Sequence, residues 1–183
     1  MSLGIEDGRI PNSALTASTI YSAVCAATFA RLNLAAASGR VGSWCVKTNN
    51  VNQWLQIDLG TPTTVTKVAT QGRQDDSQWI TSYSLSYSHA GSFWVQYTVR
   101  GRKKVITMLT SLWFRHQLCF ALNLSWGLLM VECRTRNDDS NFMRPFIDLH
   151  NGSSTTTLIH TRLRMALKTQ HLRIQRYEYE PAK

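Results

Sequence analysis

Between residues 71 and 79 the chain reads Gln-Gly-Arg-Gln-Asp-Asp-Ser-Gln-Trp. One arginine, two adjacent carboxylates and several carboxamides stand in a polar loop closed by an aromatic ring. Two chemistries follow. A sugar needs planar hydrogen-bond donors and acceptors beside an aromatic face, and Arg73, Asp75, Asp76, Gln78 and Trp79 supply them. A phosphate or sulfate needs a guanidinium or ammonium group. The bland alternative is an ion pair inside the loop between Arg73 and Asp75 or Asp76, worth about 0–1 kcal/mol. Asp75-Asp76 also offers oxygen ligands to Ca²⁺, but two neighbouring acids alone read as a solvated loop.

Catalytic chemistry finds little support. The five histidines, His89, His116, His150, His160 and His171, stand in no HExxH motif, and no GxSxG occurs. Cys119 or Cys133 with His116 would be a nucleophile and base only by coincidence of type. The four cysteines, Cys25, Cys45, Cys119 and Cys133, contain no CxxC spacing, so no metal site is expected. Cys25 and Cys45 both fall in predicted loops. Pairing and free thiols are both open readings. Two sequons occur, at Asn123 and Asn151; Asn123 lies in apolar surroundings, which makes Asn151 the better glycosylation candidate.

The elements that must carry the 71–79 loop read as β. Leu55, Ile57 and Leu59 alternate with Gln56 and Asp58, a half-buried strand. Gly60-Thr61-Pro62 reads as a turn that ends it. Val65–Thr70 is β-branched and reads as a second strand covered on both faces. Tyr83, Leu85 and Tyr87 alternate with Ser82, Ser84, Ser86 and Ser88, which predicts a strand with a solvated seryl face. His89-Ala90-Gly91 turns into a strand over 93–99, anchored in the core by Trp94 and Tyr97. Phe29–Leu34, with Arg31 inside it, reads as a strand or packed turn. Loops held by a rigid β scaffold are where binding residues usually sit.

Of 183 residues, 43% are apolar, enough for one core, and six are Trp, which suits stacked sheets with large side chains between them. The net charge of +9 is uneven. Residues 1–100 carry seven Lys/Arg against five Asp/Glu, whereas residues 101–183 carry thirteen against six. These positives are scattered, with no run beyond Arg102-Lys103-Lys104 and no nucleic-acid motif, so no nucleic-acid partner is expected. From Val105 to Val131 the alternation is lost. Residues 118–131 are apolar but too few to span a bilayer. The expectation there is an irregular or partly helical insertion, or a segment joined to the domain by a misassigned exon boundary. Asn151-Gly152-Ser153 then reads as a turn.

The blocks GRIPNSALTAS, FARLNL, QWLQIDLG, VTKVATQGR and WITSYSLSYS, in this order, resemble the discoidin (coagulation factor V/VIII type C) domain. The resemblance covers residues 4–100, returns weakly over 155–176 and is absent over 102–150. It implies an all-β, eight-stranded jelly-roll β-sandwich, galactose-binding-domain-like, spanning 4–176 with 102–150 as an atypical interruption and 177–183 as a tail. The stretches 155–161 and 167–174 would be its penultimate strands, with the closing strand incomplete, an unpaired edge and marginal stability.

The resemblance also implies function: non-catalytic recognition through loops 19–28, 40–50 and 71–79 at one end of the sandwich. On these loops stand Tyr21, with Ile20 and Val24, then Arg40, Trp44, Lys47 and Asn49, then Arg73, Asp75, Asp76, Gln78 and Trp79. Trp44 occupies the place where the family anchors a loop with an aromatic. The implied partner is a glycan or an extracellular matrix protein. Peripheral binding to anionic phospholipid is the alternative, and a truncated product formed only over 1–100 is a third reading. No cofactor is implied, Ca²⁺ aside. The His plus Arg-Gly-Asp signature of the fucose-binding branch is missing. So are the first and last cysteines that join the family's termini. Met1 leads straight into domain-type sequence without a signal peptide, so the chain is read as a fragment of a secreted or cell-surface protein.

Overall fold

In the computed structural model, which describes residues 2–73, 75–76, 78–107, 132–134 and 158–176, the strands are β1 (Leu15–Ala17), β2 (Trp54–Gln71), β3 (Ser82–Ser88), β4 (Val95–Gln96), β5 (Thr98–Val99), β6 (Arg102–Lys103), β7 (Val105–Thr107), β8 (Glu132–Arg134) and β9 (Leu158–Arg176). Short 3-10 turns at Asn12–Ala14, Ala23–Cys25 and Ala27–Phe29 complete the regular structure among the described residues. The fold is an all-β sandwich, as the resemblance implied.

Leu55 and Ile57 are fully buried, and Leu59 packs partly against the same core. The turn expected at Gly60-Thr61-Pro62 does not divide the strand. Pairing with β9 jumps from Asp58↔His171 to Thr63↔Thr169, so these residues bulge out of one continuous strand. A bulge places extra residues in one strand and bends it sharply, which achieves the change of direction without a break. A second register shift lies between Val65 and Lys67. The bent β2–β9 ribbon thereby serves both layers. Its open half carries β1, and its far half carries β8.

Strand order is β1-β2-β9-β3-β4, with β7 also on β3. The C-terminal stretch of the described residues is not at an edge of this sheet. The stretches 155–161 and 167–174 are not two penultimate strands but, from Leu158 on, one strand held between β2 and β3. Three residues line up across it at a time. Leu55, Ile174 and Leu85 form one row, and Ile57, Leu172 and Tyr87 the next. Such rows of facing apolar side chains are the unit of sheet stabilisation. In hydrogen bonding, β9, which lies outside residues 1–100, stands between β2 and β3.

The seryl face of β3 is not solvated. Ser82, Ser84, Ser86 and Ser88 are all buried. Ser86 lies opposite Arg173 on one side and Gln96 on the other, and these longer side chains overtop it. Arg173 is itself clamped between two indole rings, 4.3 Å from the centroid of Trp54 and 3.9 Å from that of Trp94, and its Nη2 donates to Gln56 Oε1 at 2.8 Å. Stacking of this kind contributes about 0.5–2 kcal/mol. Trp94 thus caps the outer face and does not enter the core, whereas Tyr97 is buried as expected. The strand expected over 93–99 is split into β4 and β5, and Phe93 stands 87% exposed.

Arg100 and Gly101, with φ of 53° and 74°, connect β5 to β6 as a two-residue hairpin loop. Both residues must be left-handed there, which suits glycine. The segment expected to be atypical therefore begins as sheet: β6 pairs β5, β7 pairs β3, and β8 pairs β2. The remainder of that expectation, with Cys119, Asn123 and Asn151, lies outside the described residues. Among the described residues no helix is long and apolar enough to cross a membrane.

Phe29–Leu34 is a packed turn, and Arg31 is its anchor. The guanidinium is buried and donates to the carbonyls of Ile5, Ile10 (3.0 Å) and Thr28 (3.2 Å) and to Asn12 Oδ1 (2.7 Å). Desolvation pulls its pKa down. Replacing it leaves several buried carbonyls without donors, each costing about 1–3 kcal/mol. We expect Arg31→Met to lower the urea unfolding free energy by at least about 2 kcal/mol. Arg9→Met, at an exposed pair with Asp7, should stay within about 0.5 kcal/mol. Equal losses at the two positions would refute the anchoring role.

Candidate functional site

Loops 19–28 and 40–50 are laced by backbone hydrogen bonds. Tyr21 N donates to Cys45 O at 2.9 Å, Val41 N to Val24 O at 2.8 Å and Cys45 N to Cys25 O at 3.1 Å. Gly42 lets the second loop pass close to the segment before it: a Cβ there would lie 2.2 Å from the carbonyl oxygen of Leu34. Trp44 is 1% exposed and donates its Nε1 proton to Thr19 O at 2.8 Å. It holds the two loops together from beneath and cannot touch a ligand. Of the residues named on the candidate loops it is thus an anchor and not a contact, the place the resemblance gives it. Gln53, also buried, accepts from Ser18 Oγ at 2.8 Å and donates to Asn50 Oδ1 at 2.9 Å.

The third loop is closed on itself by Arg73. Its Nε and Nη2 donate to the two oxygens of Asp75 at 2.6 and 2.9 Å, its Nη1 donates to Gln78 Oε1 at 3.0 Å, and Asp76 Oδ2 lies 3.7 Å from Nη1. The bidentate bond raises the pKa of Arg73 and lowers that of Asp75, and the two shifts agree in direction. Both readings of Arg73 made from the sequence meet here, since the loop-internal pair exists and the same residue lines a groove. Both acids face the guanidinium, so a bound calcium ion would have to displace it.

The groove, about 200 Å³, opens between the three loops. Tyr21, Val24 and Val41 form its apolar wall, Arg73 and Gln78 its polar one, and Cys25 and Cys45 are also part of its lining. Ile20, Tyr21 and Val24 are exposed at its lip. Of the candidates from sequence, the structure gathers Tyr21, Arg73 and Gln78 here, with Asp75 and Asp76 bound to Arg73. Lys47 and Asn49 are exposed on the second loop. Arg40 turns back on its own loop, Nε to Ala35 O at 3.3 Å. Trp79 is half-buried against Gly72. Val41 and the two cysteines were missed as lining residues. Their only signal was the placement of both cysteines in loops.

A sandwich with three loops closing on a groove at one end fits the comparisons with known proteins. The family model for the F5/8 type C domain matches residues 15–112. The chain belongs to the F5/8 type C family. Its relatives include pig lactadherin, 36% identical over 107 residues, which are 54% of this chain and 25% of lactadherin. Mouse coagulation factor V is 42% identical over 101 residues, 52% of this chain and 4% of that protein. The chain thus spans a quarter or less of these relatives. The crystal structure of discoidin II from Dictyostelium discoideum superposes with a TM-score of 0.57 at 18% identity, covering 88% of this chain and 48% of that one, and shows the shared fold. F5/8 type C domains are non-catalytic binding modules, and this chain is one.

Burial in this F5/8 type C domain, with the neighbouring Cys25 as the second cause, pushes the Cys45 thiol up to about 12 from an ordinary 9.0. The neutral thiol is the form the fold favours. Its contribution to stability is full below pH 9 and is lost as pH rises towards 12. Under a phosphine reductant, the unfolding temperature of the parent chain should fall more steeply over that window than that of Cys45→Ser. Parallel curves by circular dichroism would show that the thiol is not the titrating group.

Proposed function

We propose that this domain is an extracellular recognition module that binds a glycan, free or carried on a matrix protein, in the groove between loops 19–28, 40–50 and 71–79. One observation carries the reading: Arg73 enters the groove already balanced by Asp75 and Asp76. A phosphate there would meet two carboxylates. A sugar hydroxyl both donates and accepts, and it finds a guanidinium and Gln78 beside those same carboxylates, with Tyr21 as an apolar face. The rigid bidentate geometry keeps these groups aimed before the ligand arrives, which reduces the ordering cost of binding.

A second reading rests on a different feature. Ile20, Tyr21 and Val24 are 43%, 59% and 41% exposed on one loop tip, with Lys47 exposed on the adjacent loop. Apolar tips beside a cation suit insertion at an anionic membrane surface.

A glycan array and sedimentation with phosphatidylserine vesicles separate the two. The glycan reading expects array binding that persists at high salt and weakens about tenfold, or about 1.4 kcal/mol, in Tyr21→Ala. Asp75→Asn should weaken it as well, and Ile20→Ser should leave it intact. A blank array with vesicle binding that falls with salt and with Ile20→Ser would replace the glycan by the lipid surface.

A further inference from the structure

Two buried thiols face each other at the floor of the groove, and no role proposed so far uses them. Cys25 is 2% and Cys45 5% exposed, and together with Val41 they make a small apolar cluster separate from the main core. The two side chains pack in one cluster, and each thiol also lies near a serine hydroxyl: Ser22 Oγ 3.5 Å from Cys25 Sγ, and Ser43 Oγ 3.8 Å from Cys45 Sγ. Both stand as free thiols in the structure. A buried cysteine most often serves as a small apolar filler, which would explain either residue alone. It does not explain two that meet across adjoining loops beside solvent.

We propose that Cys25 and Cys45 form a disulfide that ties the first rim loop to the second. The backbone already provides the spacing. Cys45 N donates to Cys25 O at 3.1 Å. A single N–H···O=C bond of this length holds the two Cα atoms roughly 5–6 Å apart, inside the range of about 4.4–6.8 Å that a disulfide bridges. The two side chains already pack in one cluster, which keeps the approach of the sulfurs local. The oxidant is a small disulfide such as oxidised glutathione, reaching the thiols through the groove. One cysteine thiolate attacks the glutathione disulfide and expels a glutathione thiolate; the second cysteine, after losing its proton, displaces the other glutathione. Two protein thiols lose two protons and two electrons, and the glutathione disulfide gains them as two thiols. The bond closes the chain between residues 25 and 45, which restricts the unfolded chain and fixes the separation of Tyr21 and Val24 from Val41.

The test needs no ligand, so it stands or falls apart from the glycan reading. The full chain is incubated with oxidised glutathione or with a phosphine, denatured, alkylated and digested with trypsin. Cys25 then lies in the peptide 10–31 and Cys45 in the peptide 41–47. Mass spectrometry should find these two peptides joined in the oxidised sample and separate, both alkylated, in the reduced one. A Cys119→Ser, Cys133→Ser double variant should give the same linked pair, its free-thiol titre falling from two to none. Full alkylation of Cys25 and Cys45 after oxidation would overturn the proposal, and so would finding either of them bonded mainly to Cys119 or Cys133.

Discussion

The hydrogen-bonded ribbon of β2 and β9 is the constraint on which everything else rests. Leu55 and Ile57 face Ile174 and Leu172 across it, and β3 continues the same rows through Leu85 and Tyr87. Without β9 the rows have no middle. Its bulges at 58/63 and 65/67 bend the ribbon so that one pair of strands closes both layers of the core. The groove end inherits its position from this ribbon, because β2 begins just after the second rim loop and ends where the third begins.

What could be read from residues alone follows the range of the interaction that decides it. Alternation in Leu55–Leu59 and Tyr83–Tyr87 announces an apolar face, and those residues are in the core. The role of Trp44 as an anchor came from the resemblance, and for Phe29–Leu34 the residues left a strand and a packed turn both open. The serines of β3 were misjudged because a small polar residue is solvated or covered according to its cross-strand neighbours, here Arg173 and Gln96. Trp94 was misjudged in the same way. Its partner Arg173 lies far along the chain, and no local pattern announces an indole–guanidinium–indole stack. The bulge at Gly60-Thr61-Pro62 looked like a turn because both use the same residue types.

At the rim the sequence named the polar side chains but not their arrangement. Arg73 next to two acids could have been a cation open to ligand or a closed clasp. The bidentate geometry makes it a clasp that still lines the groove, and so shifts the chemistry from charge towards hydrogen bonding. The apolar half of the groove depends on the meeting of two loops through their backbone hydrogen bonds and Trp44, a tertiary fact with no periodicity to reveal it.

The central place of β9 bears on how this chain is born. A ribosome releases β1, β2 and β3 long before it reaches Leu158, and β2 and β3 form no ladder with each other. Until that late strip emerges, the nascent chain holds two incomplete halves whose inner edges are open to any strand that passes. Folding of the sandwich thus waits for β9 to emerge, and a holding chaperone acting on the chain before then would find its binding surface along those two edges.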